Sequence, residues 1–224
     1  MKDTASKISP KSLLPMVNPD NPRDRIIAEA KVMFFTHGYS KVLMADLAKR
    51  LGMSKKTLYQ YFSGKEDILN VIIKQHGQDI QHEVEHTLAN EQMPFPEKIS
   101  HIFSYVATKL HDINPGFVLD IKKNAPSAWQ QLQKYKADAA FLRFTTLLDE
   151  GYRKGYVRTD ISRTMAVLLY ASALETILNP DFTEQVPAEL LQDMPKTPGA
   201  VFDGLVKIIF GGILDTKAIE QNNS

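Results

Sequence analysis

The feature that most constrains this fold is a series of helix-capping residues and glycines that punctuates the first third of the chain. Asn21 precedes a proline, which is typical of a helix start, and Gly38 follows the first apolar periodic segment, where helices end. Gly52 permits a tight turn, and Ser54 is placed to cap the segment after it. The predicted helices run from about Asn21 to Gly38, Met44 to Leu51, Ser54 to Ser63 and Lys65 to Asn90. Three short helices followed by a long one are therefore expected.

The rest of the chain also favours helices. Its apolar residues recur three and four positions apart, and no segment shows the alternation of a β-strand. The expected helices span about Ile99 to Ile113, Pro126 to Gly155, a segment capped by Asp160 or Ser162 that continues to Leu178, and about Gly199 to Asp215. The sequence predicts an all-α fold.

Charge is distributed unevenly along the chain, although the net charge is only +1. Residues 1–75 hold 13 Lys and Arg against 7 Asp and Glu, whereas residues 76–224 hold 14 against 19. A basic segment attached to an acidic body is typical of a nucleic-acid-facing part. The chain has no cysteine, which excludes disulfides and thiolate metal sites. Since neither an export signal nor a bilayer-spanning apolar run is visible, we expect a soluble, cytoplasmic protein that does not enter a membrane.

The second and third predicted helices have the pattern of a helix-turn-helix. Ala48 is small enough for two helices to cross closely, and Gly52 permits the turn between them. Three leucines can form the shared core: Leu47, Leu51 and Leu58. The third helix then lies outward and is predicted to enter the major groove of DNA. Two other interpretations remain, an amphipathic helix whose lysines are merely solvated and a helix-turn-helix that serves as a protein-interaction module.

The stretch RIIAEAKVMFFTHGYSKVLMADLAKRLGMSKKTLYQYFSGKEDIL resembles the N-terminal DNA-binding domain of the tetracycline-repressor (TetR-type) family. The shared features are an aromatic residue followed by Gly-Tyr, then Asp-Leu-Ala, Gly-x-Ser, Thr-Leu-Tyr-x-Tyr-Phe and Lys-Glu. The resemblance implies an all-helical, homodimeric transcriptional regulator, usually a repressor, that has an effector-binding C-terminal domain and no catalytic residues. We therefore expect a double-stranded DNA operator, a second copy of the chain and a small-molecule effector as partners, and no cofactor.

The resemblance assigns DNA contacts to the third helix and its flanks. The expected DNA-binding residues are Ser54, Lys55, Lys56, Thr57, Tyr59, Gln60, Tyr61 and Lys65. In this assignment Lys55, Lys56, Thr57 and Gln60 lie nearest the base edges, and Tyr59, Tyr61 and Lys65 hold phosphates. The chain departs from the family at Val42 and Leu43, where a Thr or Ser commonly caps the second helix and touches a phosphate. Lys41 either compensates for that loss or is simply exposed.

The letters HEVEH match the His-Glu-x-x-His pattern of zinc metalloproteases. On a helix, His82 and His86 are one turn apart, and Glu83 is placed to deprotonate a metal-bound water. Both histidines, however, lie out of phase with the apolar stripe that includes Val84, and the Gly and third His of the extended pattern are missing. We predict no metal site and no catalytic site. A metal-dependent hydrolase or a metal sensor remains the alternative.

An effector pocket is expected from the resemblance, and aromatic residues of the C-terminal part are its candidate lining. They are Phe103, Phe117, Trp129, Phe141, Phe144 and Tyr170. The alternative is that these side chains are ordinary core. Asp120, Lys122 and Lys123 either add polarity to the pocket or are solvated.

The last two long helices carry more apolar surface than one core face uses. In TetR-like proteins the corresponding pair forms the four-helix bundle of the dimer, and Gly204, Gly211 and Gly212 would permit close helix approach there. A monomer that buries both helices within itself is the alternative. The expected organisation is a flexible tail at 1–20, a helix-turn-helix domain at 21–67, an effector-binding and dimerisation domain at 68–216 and a flexible tail at 217–224.

Overall fold

The computed structural model describes residues 20–111, 113–178 and 186–213 as helices joined by short loops. The helices are α1 (Pro22–His37), α2 (Met44–Arg50), α3 (Lys55–Tyr61), α4 (Lys65–Ala89), α5 (Phe95–His111), α6 (Pro115–Asn124), α7 (Pro126–Asp138), α8 (Phe144–Arg153), α9 (Arg163–Leu178), α10 (Ala188–Leu191) and α11 (Pro198–Ile213). A π-helical turn, Ala139–Arg143, joins α7 to α8. The described residues contain no strand element, so the predicted all-α fold class is confirmed. Apart from Asp20, both predicted tails lie outside the described residues.

The helix ends of the N-terminal part follow the predicted caps. The Asn21 side chain accepts a hydrogen bond from the backbone N–H of Arg23 at 2.9 Å, and α1 ends at Gly38, whose φ of 89° favours glycine. Ser54 Oγ accepts from the backbone N–H of Thr57 at 3.0 Å. Leu43 precedes α2 and provides no side-chain cap, as its apolar side chain predicts. Local chemistry therefore sets these boundaries.

The core of the N-terminal helices forms as a helix-turn-helix requires. Leu47, Ala48 and Leu58 are buried, and Gly52 makes the turn with a φ of 66°. Helix α1 covers this pair with a buried face of its own: Ile26, Ile27, Ala30, Met33, Phe34 and Phe35. With its inner face packed in this way, α3 presents its other face to solvent.

Helix α4 connects these helices to the rest of the molecule. Its first half buries Ile68, Leu69, Ile72 and Ile73, and its second half buries Val84. Helices α5 and α7 of the body both pack against α4. Because one continuous helix belongs to both parts, any tilt of α4 in the body moves the N-terminal helices as well.

A buried ion pair ties the body together. Lys98 of α5 lies 3.0 and 3.1 Å from the two carboxylate oxygens of Glu150 in α8, and it also donates to the carbonyl of Leu88 at the end of α4 at 2.9 Å. Burial alone would raise the pKa of Glu150, but hydrogen bonds from Lys154 and Lys98 lower it overall. The pair joins three helices through charge-assisted bonds.

Helix α6 was not predicted as a separate element, although its start signal is present. Asn114 caps it by accepting from the backbone N–H of Gly116 at 2.8 Å, and Pro115 occupies its first position. The helix is short, and Ala125 separates it from α7. At the other end of the body, Ser162 rather than Asp160 precedes α9, where Ser162 Oγ accepts from the N–H of Met165 at 3.4 Å.

Candidate nucleic-acid interface and interior cavity

The outer face of α3 presents most of the predicted DNA-binding side chains to solvent. Tyr59 and Tyr61 are 51% and 38% exposed, which is high for aromatic side chains. The other exposed members of the set are Ser54, Lys55, Lys56 and Gln60. Thr57 is half-buried, and its hydroxyl lies 2.8 Å from Ser54 Oγ. The structure therefore brings the predicted base readers and aromatic phosphate contacts onto one surface.

The acidic side chains at the start of α4, next to this surface, accept hydrogen bonds from groups of the same chain. Asp67 accepts from the backbone N–H and hydroxyl of Ser63 at 3.0 and 3.1 Å. Glu66 accepts from the hydroxyl of Ser127, in α7, at 2.6 Å. Helix α3 itself contains two lysines and no acid. Its positive charge thus faces outward, as binding to phosphate requires.

Lys65 occupies a different position from the other predicted DNA contacts. Its ammonium donates to the carbonyl of Tyr39 at 2.9 Å and lies 4.2 Å from the centre of the Tyr39 ring. A second carbonyl, of Ser40, lies 3.4 Å away. Burial lowers the pKa of Lys65, and Asp120 opposes that effect. An ammonium has three donors, so one N–H of Lys65 is left for a phosphate.

The segment before α2 shows what replaces the family's capping residue. Val42 is buried in the core, whereas Leu43 is 58% exposed. Lys41 is also exposed beside them. A large apolar side chain therefore stands at the edge of the proposed DNA surface where a hydroxyl is common.

The HEVEH residues lie in the last turns of α4, with the predicted orientation. His82 and His86 are exposed while Val84 is buried, and the two rings are parallel with centroids 6.4 Å apart. Glu83 lies 2.7 Å from the ring of His101, in α5, instead of beside the two histidines. Among the described residues no three His, Cys, Asp or Glu side chains converge as a metal site would need.

The body encloses a cavity of about 140 Å³. Helices α4, α5, α6 and α7, the π-helical turn, α8 and α9 all contribute to its lining, which is predominantly apolar. Engineered cavities of about this volume hold a benzene-sized molecule. A larger ligand would have to push the lining apart.

Four of the six predicted pocket residues line this cavity, namely Phe103, Phe117, Phe144 and Tyr170. Trp129 and Phe141 do not. Trp129 is half-buried on α7, with the ammonium of Lys122 5.7 Å from its ring centre. Phe141 lies on the outer side of the π-helical turn and is 57% exposed. The six therefore do not form one group.

The lining includes polar residues that were not predicted from the sequence, and two of them lie inside the body. His76 of α4 is the first, and neither ring nitrogen has a hydrogen-bond partner among the described residues. Burial, together with nearby Lys31 and Lys109, lowers the pKa of His76 to about 4, so the ring is neutral at physiological pH. The buried Arg143 is the second. The sequence does contain a signal for His76. This histidine lies four residues from both Ile72 and Ile80, so a polar side chain stands at a position where the helical period places apolar ones.

Helix α1 contributes to one wall of the cavity through a single residue. Phe35 of α1 lines the cavity and contacts Phe117 of α6 edge-on, with ring centroids 5.0 Å apart. The same ring lies 5.5 Å from the ring of His76. A ligand in the cavity would therefore touch α1 directly.

Hydrogen bonds reinforce this contact, and we call them the α1–α6 latch. The Ser40 backbone N–H donates to Asp120 Oδ2 at 2.7 Å, and its hydroxyl donates to Oδ1. The Asn114 backbone N–H donates to the carbonyl of Phe35 at 3.0 Å. Burial would raise the pKa of Asp120, but the bonds from Ser40 and Asn124 lower it below its usual range. Asp120 therefore joins the body to the loop ahead of α2.

The outer faces of α9 and α11 expose large apolar side chains. Met165 and Ile208 are 63% and 74% exposed, and Leu168 and Leu169 are close to half exposed. A Cβ at Gly204, Gly211 or Gly212 would meet no atom within 4 Å in the described chain, apart from its chain neighbours and the backbone of α11 itself. Packing within the described part of one chain therefore gives no reason for these glycines.

Comparison with known proteins identifies the kind of domain that carries α3. Residues 26–72, which include α2, α3 and the start of α4, match the bacterial regulatory proteins of the tetR family. Residues 26–72 are thus similar to the DNA-binding domain of tetR-family regulators. A domain of this kind binds DNA in transcriptional regulators, and this is the role that it indicates for the chain.

The likeness to known transcriptional regulators extends beyond that domain. The chain is 26% identical over 190 residues to an uncharacterized HTH-type transcriptional regulator, YvaF, of Bacillus subtilis (strain 168), covering 84% of this chain and 94% of that one. Its fold is similar to that of FadR from Bacillus subtilis in complex with stearoyl-CoA (TM-score 0.59, 20% identity, 84% and 98% of the two chains). It is also similar to SmeT, a repressor of a Stenotrophomonas maltophilia multidrug efflux pump (TM-score 0.61, 16% identity, 89% and 93%). None of the helices in the described ranges is long and apolar enough to cross a membrane.

Proposed function

We propose that this chain is a homodimeric tetR-type repressor that binds a palindromic operator and leaves it when a small apolar or amphipathic effector fills the cavity. The observation that carries this proposal is the shared wall between the cavity and α1, at Phe35. The proposed units are a DNA-binding domain at 21–67 and an effector-binding and dimerisation domain at 68–216.

In this proposal α3 reads the operator. Lys55 and Lys56 lie at the end of α3 that enters the major groove, and Gln60 lies one turn further on. Lys55→Ala and Lys56→Ala should each weaken operator binding and reduce its salt dependence, because each removes a positive charge from the surface that meets the DNA. Gln60→Ala should instead relax base preference at one or two positions. Equal loss on every sequence would refute the base-reading role of Gln60.

The exposed apolar faces of α9 and α11 support a dimer. Burying side chains such as Met165 and Ile208 against a second copy removes apolar surface from water, at about 25 cal/mol per Å². A two-fold dimer presents two α3 helices related by symmetry, so its operator should be a palindrome. A monomer in sedimentation, or an asymmetric footprint on DNA, would contradict this part of the proposal.

The cavity supports control by a ligand. A ligand larger than a benzene-sized group displaces lining residues, and those include Phe35 of α1 and Phe117 of α6, which the α1–α6 latch holds together. Moving them alters the tilt of the N-terminal helices, and a wrong spacing of the two α3 helices releases DNA. That FadR was solved with stearoyl-CoA supports an amphipathic ligand for this fold.

The test of control is reciprocity. If an effector weakens operator binding by some factor, typically about 5- to 150-fold, the operator must weaken effector binding by the same factor. Both affinities are measured by titration, with and without the other ligand. A ligand that fills the cavity and leaves operator affinity unchanged would refute the proposed control.

A further inference from the structure

The charged residues that line the cavity are both cations. They are Lys136 and Arg143, and no carboxylate is part of the lining within the described chain. Lys136 forms an ion pair with Glu175 of α9, which neutralises its charge. Arg143 has no such close carboxylate partner in the described chain, as its contacts show.

Arg143 is buried and incompletely paired. Its side chain is 8% exposed, and its Nη2 donates to the backbone carbonyl of Tyr135 at 3.3 Å. The nearest carboxylate, Glu85, lies 3.7 Å from Nη1, is 49% exposed, and also accepts a hydrogen bond from Gln81. A guanidinium has five N–H donors, so most of them lack a partner in the described structure. A buried charge in this state is costly unless a further acceptor is supplied.

A local departure from regular helix geometry places the Arg143 guanidinium at the cavity. The π-helical turn is marked by the hydrogen bond from the N–H of Phe144 to the carbonyl of Ala139, five residues back. Such turns are rare and occur frequently at functional sites. Here the turn directs Arg143 and Phe144 inward while Phe141 faces solvent.

The second polar group of the lining agrees with the same ligand chemistry. His76 is a neutral imidazole that has no hydrogen-bond partner in the described parts of the chain, so it can accept from or donate to a ligand. The charged groups that act on it are Lys31 of α1, Lys109 of α5 and Asp79 of α4, two cations against one anion. This field disfavours a cationic ligand beside His76.

We infer that the effector cavity is built for an organic anion, an apolar molecule that carries a single carboxylate-like group, and that Arg143 receives this group. The inference rests on the proposed function, because it names the ligand class of the same cavity. A carboxylate offers the acceptor oxygens that Arg143 lacks, and its geometry matches a guanidinium. The apolar remainder of the ligand then lies among the aromatic and aliphatic lining.

The experiment compares three probes of one chain length at pH 7: octanoate, 1-octanol and octylamine. They are an anion, a neutral molecule and a cation at this pH, because a carboxyl titrates near pH 4 and an alkylamine near pH 10. Titration calorimetry of the full-length protein should show octanoate binding about tenfold or more tightly than 1-octanol. A hydrogen bond to a charged group strengthens binding by at least about that factor. Octylamine should bind more weakly than both.

Variants of Arg143 separate its charge from its bulk. Arg143→Met should abolish the preference for octanoate and leave 1-octanol binding within about threefold, whereas Arg143→Lys should keep most of the preference. The matched control is Arg163→Met, which removes an exposed arginine paired with Asp149 and should change no probe affinity. If Arg143→Met does not fold, the three probes on the natural protein still test the ligand class, and Arg143→Lys still tests the role of the guanidinium.

Three results would overturn the inference or a part of it. Equal or tighter binding of 1-octanol or octylamine would overturn the ligand class but leave the effector cavity in place. No binding of any probe would overturn both, while DNA binding by α3 would stand on its own measurement. An octanoate preference that persists in Arg143→Met would overturn the assignment to Arg143.

Discussion

Gly77 lies in the middle of α4, where that helix passes the cavity, and its replacement by alanine tests how tightly the body is packed. A Cβ at Gly77 would lie 2.7, 2.7 and 2.8 Å from three ring carbons of Tyr135, in α7. Ordinary contacts begin at 3.4 Å, so the ring or α4 must move by several tenths of an ångström. The ring is held by its hydroxyl, which donates to the carbonyl of Lys74 at 3.3 Å. The methyl group of Gly77→Ala therefore meets a ring that is anchored at both ends.

Two opposing effects set the size of the change. Replacing glycine by alanine inside a helix stabilises it by about 0.8–1.0 kcal/mol. Overpacking costs about 1–3 kcal/mol, and loss of the Tyr135 hydroxyl bond costs about 0.5–1.5 kcal/mol more. The net expectation is that the free energy of unfolding falls by about 0.5–3.5 kcal/mol.

Urea unfolding at one fixed protein concentration measures this change, since concentration affects the stability of a dimer. The matched control repeats the glycine substitution in a Tyr135→Leu background, where the ring is gone. There Gly77→Ala should be neutral or stabilising, which gives a coupling energy between the two positions. Stabilisation by about 1 kcal/mol in the natural background would refute the reasoning, because it would mean that the ring yields without cost.

Three further outcomes are expected. Lys98→Met should lower the free energy of unfolding by about 3 kcal/mol in a urea titration, because it leaves Glu150 buried without that partner. In the natural protein the folded-state pKa of Glu150 is lowered, so the ion pair stabilises the fold fully above the ordinary pKa of a glutamate, about 4.3, and this stabilisation is lost as the pH falls further. Unchanged stability between pH 5 and 2 would contradict the pairing. The double variant His82→Ala with His86→Ala should change stability by less than about 0.5 kcal/mol and leave operator affinity unchanged; stoichiometric zinc in untagged protein, lost in the variant, would show instead a metal site. Asp120→Asn should raise the hydrogen-exchange rate of the Ser40 backbone amide about fivefold, because weakening its bond in the α1–α6 latch removes about 1 kcal/mol of local stability. Unaltered exchange would show that the latch does not stabilise this region.

The N-terminal helices could be predicted closely because their signals are local. Caps such as Asn21 and Ser54 and the turn at Gly52 act within four residues, and the observed bounds of α1 to α4 agree with those signals to within about two residues. The same logic gives the outward face of α3, because the side of the helix that carries the buried Leu58 packs inward and leaves the opposite side for solvent.

The cavity and the α1–α6 latch could not be predicted in the same way. Ser40 and Asp120 are 80 residues apart, and nothing in either neighbourhood indicates the other. Near Arg143, the π-helical turn shifts the helical phase, so a regular period places Phe141 inside when it is outside. Lys65 resembles a phosphate contact by position, yet its ammonium also bonds to a carbonyl that only the folded loop brings near.

The central claim, that α3 binds a specific operator, is tested most directly by selection from the source genome. Fragmented genomic DNA is passed over the full-length protein at physiological salt, and the retained fragments are sequenced beside those retained by the Lys55→Ala, Lys56→Ala double variant. The account predicts strong enrichment of a small set of fragments that share one palindromic sequence, and loss of that enrichment in the double variant. Fragments retained without a common sequence, or the same set retained by both proteins, would contradict it.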